Sequence, residues 1–423
     1  MKKTSRISGL YKLSPQERLE KVKEFADLDE ESVENIRKSG ALSIDQADKM
    51  IENVIGVMEL PLGIATNFVI NGKDRLIPMA IEEPSVIAAA SNGAKMARDK
   101  GGFTANTTEQ IMIGQIQLIC EDLEGAKNSI LGARKKILDI ANEQNPILFK
   151  LGGGAKDIEV RIIETSTGKM VITHLLVDCR DAMGANTVNT MCEAVAPLLE
   201  RLTSGRAYLR IVSNLADQRL ARSKAVFSKK ALGGDDAVDA ILQAYYFAAA
   251  DPYRCATHNK GIMNGVTAVA LATGNDARAL EAGAHAYASL SGKYGPLTTY
   301  EKNEDGDLVG TIELPLAVGL VGGATKVHPV AIANLRILGV KTASELAEVM
   351  ASVGLAQNLA ALRALATEGI QRGHMSLHAK NIAVMAGSTG DMVDKVASAL
   401  VREGQIRLDR AKELLEELSE GKE

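Results

Sequence analysis

The chain has 423 residues, 46% of them hydrophobic, and its 49 Lys and Arg nearly balance 53 Asp and Glu for a formal net charge of −4. This composition supports packed cores in about two or three domains and excludes a disordered chain, while the dispersed, near-neutral charge excludes a broad footprint for nucleic acid or an anionic membrane. No apolar run nears the roughly 18 residues of a membrane span, no apolar signal core follows Met1-Lys2-Lys3, and Cys120, Cys179, Cys192 and Cys255 form no C-x-x-C pair, so the expectation is a soluble, cytoplasmic protein with reduced thiols.

The chain opens with helices. Ser14-Pro15-Gln16-Glu17 is a capping box with proline at the first helical position, followed by Leu19, Val22 and Phe25 at helical spacing. A second helix is expected over 29–40 and a third from Ser43 through Glu52-Asn53-Val54-Ile55-Gly56. Segments 62–70 and 75–81 flank Asn71-Gly72, a strong hairpin signal, and deliver the chain to Glu82-Glu83-Pro84-Ser85. Pro84 suits the first turn of an Ala-rich helix over 85–99, which puts Glu83 at the positive end of a helix dipole. Two readings fit Glu83: an exposed cap, or a general acid whose pKa burial or a neighbouring anion must raise.

Between 105 and 215 the pattern is self-contained. A strand (111–119), a helix (123–142), two strands (158–164 and 170–177) about Ser166-Thr167-Gly168, a helix (184–202) and a strand (207–212) give the order β-α-β-β-α-β. This is the ferredoxin-like motif with antiparallel pairing, and helix-rich sequence on both sides makes it an inserted domain. Its strand-to-helix junction reads Asp181-Ala182-Met183-Gly184-Ala185-Asn186, with Asn189 beyond. It is either a phosphate cradle of free backbone N–H groups or only a tight turn and cap. No G-x-G-x-x-G follows a strand, so the domain is non-Rossmann.

A helix over 234–250 leads to Asp251-Pro252 and a stretch that reads as a buried helix carrying Thr257, Lys260 and Asn264 on one face. An unpartnered ammonium there would cost several kcal/mol, and Asp276 in Gly274-Asn275-Asp276 is the first candidate partner. The alternative is a lysine whose head reaches solvent and an Asp276 that caps the helix over 277–290. Segments 297–301 and 308–316 form a hairpin, after which Gly319-Leu320-Val321-Gly322-Gly323 permits close backbone approach. Helices follow to the end. His374 and His378 have the spacing of a metal pair, but Met375 stands where a metallohydrolase helix carries glutamate, so no metal is assigned and His378 is read as a proton donor. Amphipathic helices over 392–401 and 405–418 close the chain in surroundings that allow a hinged lid.

Taken together, Glu52-Asn53-Val54-Ile55-Gly56, Glu82-Glu83-Pro84-Ser85, Asp181-Ala182-Met183-Gly184-Ala185-Asn186, His258-Asn259-Lys260-Gly261-Ile262-Met263-Asn264-Gly265, Gly274-Asn275-Asp276 and Leu377-His378-Ala379-Lys380-Asn381 closely resemble the class II, soluble 3-hydroxy-3-methylglutaryl-coenzyme A (HMG-CoA) reductases. The motifs stand in family order and cover essentially the whole chain. The resemblance implies an α+β fold: a helix-rich large domain (1–108 and 216–373), an inserted ferredoxin-like dinucleotide-binding domain (109–215) and a C-terminal helical flap (374–423). It also implies a homodimer, or an assembly of dimers, with active sites at the subunit interface. The reaction implied is that of the mevalonate pathway, in which two hydrides from NADH or NADPH convert HMG-CoA to mevalonate and CoA through enzyme-bound mevaldehyde.

By the same resemblance, Lys260 faces the oxyanion left by the first hydride, His378 protonates the departing CoA thiolate, and Glu83 protonates the aldehyde oxygen. Asp276 keeps Lys260 charged and Glu83 protonated. Arg254, Ser85 and Thr257 bind the substrate's free carboxylate, with Asn264 near the thioester. Asp181, Met183, Gly184, Asn186 and Asn214 line the dinucleotide site. One position departs from some NADH-specific members: where they carry an acid that bonds the adenosine ribose, this chain has Asn145, which removes the repulsion of a 2′-phosphate. Acyl transfer or lyase chemistry through Cys255, beside Arg254, is the alternative enzyme class. An inert dimeric scaffold with a structural Lys260–Asp276 pair is the non-enzymatic one.

Overall fold

Ten strands and the helices between them build two sheets in the structure, a computed structural model that describes residues 3–367 and 370–419, with 370–377 described through the backbone alone. The strands are β1 (Leu62–Ile70), β2 (Lys73–Ala80), β3 (Phe103–Thr107), β4 (Ile111–Ile119), β5 (Gly154–Thr165), β6 (Gly168–Asp178), β7 (Arg206–Val212), β8 (Leu220–Phe227), β9 (Thr298–Lys302) and β10 (Leu308–Pro315). One sheet runs β2-β1-β3-β8-β10-β9, antiparallel throughout except for the β1–β3 contact. The other runs β5-β6-β4-β7, antiparallel throughout, which is the ferredoxin-like strand order.

Local chemistry sets many of these boundaries. Ser14 Oγ accepts from Glu17 N while Glu17 Oε2 accepts from Ser14 N at 2.7 Å, and the helix Pro15–Ala26 starts there. Asn71 and Gly72 both take positive φ, 49° and 74°, and turn β1 into β2.

Four features depart from the sequence reading. The helix expected from Ser43 to Gly56 ends after one turn, Ile44–Ala47. Beyond it Asn53 is left-handed and Ile51, Ile55 and Met58 face solvent, so no packed face sustains a longer helix. The helix expected over 123–142 is two, Leu123–Gly132 and Arg134–Glu143, broken at Ala133 after a weak helix former. The hairpins β1–β2 and β9–β10 do not stand alone: β3 and β8, both unexpected, join them into a continuous sheet. Finally, the helix Ala343–Ala366 is long and apolar enough to cross a membrane, yet 72% of its most apolar window is buried inside the protein, where it packs against the helices Val86–Arg98 and Pro252–Ala272.

The first core gathers Phe68, Phe103, Phe227, Ile262, Val266, Val353 and Leu359 between the six-stranded sheet and these helices. A second, with Ile116, Ile137, Leu175, Val188 and Leu199, lies under the four-stranded sheet. A third joins the C-terminal helices through Val396, Leu400 and Leu414.

Candidate active site

The rotation of the helix Pro252–Ala272 decides what its side chains do. Asp251 caps its start by accepting from Arg254 N at 2.8 Å. On its inner face His258, 1% exposed, bonds Thr298 Oγ1 through Nε2 at 2.7 Å. Thr298 in turn donates to Asn358 Oδ1 at 3.0 Å, and Tyr300 OH donates to the same oxygen at 2.8 Å. His258 Nδ1 has no hydrogen-bond partner, but the bonds through Nε2 and Asn358 Oδ1 make a buried network that fixes one packing arrangement. It turns Tyr253, Thr257 and Lys260 outward and leaves Arg254 and Asn264 half-buried between the two faces.

Burial pushes the His258 imidazole down to about 3, so it is neutral in the folded chain. The unfolded chain takes up a proton near the ordinary value of about 6.5, so this stabilisation is complete above that pH and is lost as pH falls toward the folded value, by about 1.4 kcal/mol per pH unit. The melting temperature of the natural chain should therefore drop further between about pH 7 and pH 4.5 than that of His258→Gln. Parallel curves from scanning calorimetry would contradict this.

Of the two readings of Lys260, the one with its head in solvent holds in the single chain. Its side chain is 59% exposed, and its partner is Glu83, whose Oε2 lies 2.7 Å from Nζ. Asp276, the expected partner, is engaged elsewhere: it caps the helix Ala277–Tyr287 by accepting from Arg278 N and Ala279 N, and it accepts from the Arg278 guanidinium at 3.1 and 3.2 Å. The Arg278 hydrogen bond, with the backbone donors, holds its carboxyl below the usual carboxylate range. The capping alternative is thus the one that Asp276 adopts in the single chain.

Glu83 precedes a strained helix start. Ser85, at the N-cap of Val86–Arg98, has φ 73° and gives no side-chain cap bond, and its buried hydroxyl oxygen has no hydrogen-bond partner in the structure. A left-handed serine costs on the order of 1–3 kcal/mol, and an unmade buried hydrogen bond costs about the same again. Glu83, Pro84 and Ser85 line a groove of about 940 Å³ between the first helix, β1 and the helix Val86–Arg98, and its cations are Arg6, Arg18 and Lys95. Sequence reasoning missed these three, which are scattered along the chain and carry no motif. Arg254 is half-buried, and burial draws its guanidinium below its ordinary pKa. Cys255 is fully buried, and burial pushes its thiol up, the opposite of what a nucleophile needs.

The second cluster lies where β6 ends. Gly184 has φ 100°, and a Cβ there would stand 2.2 Å from Cys179 Sγ, so only glycine fits. It is the N-cap of the helix Ala185–Thr203 and supplies no side-chain bond, which leaves the first N–H groups to whatever approaches. Met183 is half-buried and Asn186 exposed on this turn, and Asn214 is exposed just after β7. Asp181 is partly committed, since its Oδ1 accepts from Ala343 N at 2.8 Å. Asn145 caps the short helix Pro146–Lys150 and points its amide at Thr187 Oγ1, 3.5 Å away, beside that same helix start. His378 is exposed in the helix Ile370–Met385, whereas the side chain of His374 lies outside the described residues.

Three comparisons bear on this geometry. The family model described as hydroxymethylglutaryl-coenzyme A reductase matches residues 14–379. The chain is 64% identical over 416 residues to the 3-hydroxy-3-methylglutaryl-coenzyme A reductase of Archaeoglobus fulgidus, covering 98% of this chain and 95% of that protein. It is 38% identical to a probable reductase of the same kind from Borreliella burgdorferi, over 79% of this chain and 77% of that one. Its fold is similar to that of the class II enzyme from Streptococcus pneumoniae bound to NADPH in open conformations, with TM-score 0.82, 39% identity and coverage of 96% of this chain and 100% of that one.

Proposed function

The chain belongs to the hydroxymethylglutaryl-coenzyme A reductase family, and from that premise we propose how its own residues carry out the NAD(P)H-dependent reduction of HMG-CoA to mevalonate and CoA in the mevalonate pathway. The observation that carries the reading is the Lys260–Glu83 pair, standing on an uncovered helix face beside the orphaned Ser85 hydroxyl and the groove.

The groove takes the extended CoA arm, with Arg6, Arg18 and Lys95 as counter-charges for its phosphates. Arg254, Ser85 and Thr257 hold the free carboxylate, and Asn264 stands by the thioester. Reduction of the thioester carbon leaves a negative oxygen, and Lys260 meets it as a fixed cation. His378 protonates the leaving thiolate, and Glu83 gives a proton to the aldehyde oxygen in the second reduction. Asp276 joins this set only after leaving Arg278. That exposed pairing is a weak competitor, since surface ion pairs contribute about 0–1 kcal/mol. NAD(P)H supplies the hydride. The cradle of Met183, Gly184 and Asn186 fits its pyrophosphate, and Asp181 and Asn214 flank that cradle. Asn145 contacts the adenosine ribose and admits a 2′-phosphate, so Asn145→Asp should shift the kcat/KM ratio toward NADH, and an unchanged ratio would refute this role.

In this division of labour, 109–215 carries the cofactor, 1–108 and 216–373 the substrate, and 374–423 the flap. A second subunit completes the site: Val57, Met58 and Leu60 adjoin exposed Leu271 in one cavity, with Ile51, Ile55 and Tyr253 also uncovered. Sedimentation should show a dimer or a multiple of it, and a monomer would overturn this. Four free cysteines agree with a reducing, cytoplasmic location. The carboxylate assignment is tested by titrating free 3-hydroxy-3-methylglutarate into Arg254→Ala. Loss of a charged hydrogen bond should weaken binding by about tenfold or more, and wild-type affinity would sink the assignment.

A further inference from the structure

Arg219 takes no part in the roles above, yet it is 1% exposed and is the largest fully buried side chain among the described residues. It sits where the chain returns from β7 to β8. Its Nε donates to Gln110 Oε1 at 2.9 Å, Nη1 to the carbonyls of Ala182 and Met183 at 3.1 Å each, and Nη2 to the carbonyl of Val318 at 2.5 Å. All four acceptors are neutral, and burial lowers the guanidinium to about 10, so a full charge is held in the interior by peptide dipoles and one amide, with Asp178 and Asp181 near enough to favour it. Such an arrangement persists where the geometry it enforces matters, because each acceptor is satisfied only if all three segments stay in place.

The segments are telling. Ala182 and Met183 form the turn that opens the helix Ala185–Thr203. Val318 precedes Gly319, whose N–H donates to Asn275 Oδ1 at 2.8 Å, next to Asp276 and at the end of Lys260's helix. Leu320 N and Val321 N both donate back to Asp181 O, and Ala182 pairs with Val321 as an isolated parallel bridge. A Cβ on Gly319 would lie 2.6 Å from Met183 N, so the two backbones touch directly. The glycine run thus makes its close approach to the 181–183 turn.

We propose that Arg219 is a positioning residue: by clamping the 182–183 turn to the 318–321 segment, and through Gly319 to Asn275, it fixes the spacing between the dinucleotide turn and the loop that carries Asp276. The inference rests on the assignment of NAD(P)H to that turn. A hydride moves productively only over a narrow range of distance and angle, so a shift of this spacing should act on turnover more than on substrate affinity.

The test uses the 423-residue chain with Arg219→Lys, which keeps the charge but cannot span the fork of acceptors. The expected result is a kcat about 100-fold lower with the KM for HMG-CoA changed less than about twofold. Amide exchange at Leu320 and Val321 should be faster by about tenfold or more, while the circular dichroism spectrum stays the same. A folded Arg219→Lys with wild-type kcat, or with wild-type protection of those amides, overturns the proposal. If that variant does not fold, Asn275→Ala carries the same test by cutting the bond to Gly319 N: kcat about tenfold lower supports the clamp, and wild-type kcat overturns it. The cofactor assignment fails separately, if Gly184→Ala binds NADPH, followed by its fluorescence, as tightly as the natural chain does.

Discussion

Replacing Lys260 with alanine is expected to lower kcat by about 100- to 1,000-fold while moving the melting temperature by no more than about 2 °C. The two halves of this expectation have different physical origins. The Lys260–Glu83 pair is 59% and 37% exposed, so solvent screens it and it contributes about 0–1 kcal/mol to folding. In the role proposed for it the same ammonium would face a full negative charge on the substrate oxygen, and a single aligned donor there is worth about 3 kcal/mol or more. A scaffold in which Lys260 served only as a structural cation would show the reverse, a lower melting temperature and no loss of turnover. Steady-state kinetics and calorimetry on one preparation separate the two.

Glu83→Gln should lower turnover by about 100- to 10,000-fold, with the second reduction affected most. Glutamine keeps the size of the side chain and offers its carbonyl oxygen to Lys260 Nζ, so the contact, 2.7 Å in the natural chain, can persist as one between a cation and a dipole. What it cannot do is hand a proton to the aldehyde oxygen. Supplying mevaldehyde and NAD(P)H directly isolates that step, and wild-type mevaldehyde reduction by Glu83→Gln would remove Glu83 from the acid's role.

The parts of this molecule that could be read in the sequence are those whose causes are local. The Ser14–Glu17 box and the Asn71-Gly72 turn each follow from a few neighbouring residues, and the structure places both as expected; the order of the four strands between 111 and 212 is also as read, though the helix after the first of them is divided. The strand β3 escaped because it is only five residues long, with two buried positions, and β8 because small residues fill most of its inner positions. In Leu220–Phe227 the buried side is partly Ala221, Ser223 and Ala225, whose alternation has little hydrophobic contrast.

The site was legible as a set of residues but not as a set of contacts. Lys260 and Glu83 are 177 positions apart, and nothing in the sequence chooses between Glu83 and Asp276 as the lysine's partner. The choice is made by Arg278, two residues from Asp276, which takes its carboxylate in a local contact. The apolar composition around Lys260 also left the reading of its burial open. The helix is apolar on the face toward the first core, while Tyr253 and Leu271 make its other face partly apolar as well, and composition does not say whether the same chain or a second subunit covers that face. Arg219 was invisible for a related reason: a buried arginine bonded to carbonyls leaves no partner residue type in the sequence to reveal it.

The central claim is that this site reduces a thioester twice, through an aldehyde it retains. The most direct measurement is the number of NADH or NADPH molecules oxidised, followed at their nicotinamide absorbance, for each CoA thiol freed from HMG-CoA by the purified chain. The account predicts two per thiol. Thiol release without cofactor oxidation, or a single oxidation per thiol with free mevaldehyde accumulating, would contradict it.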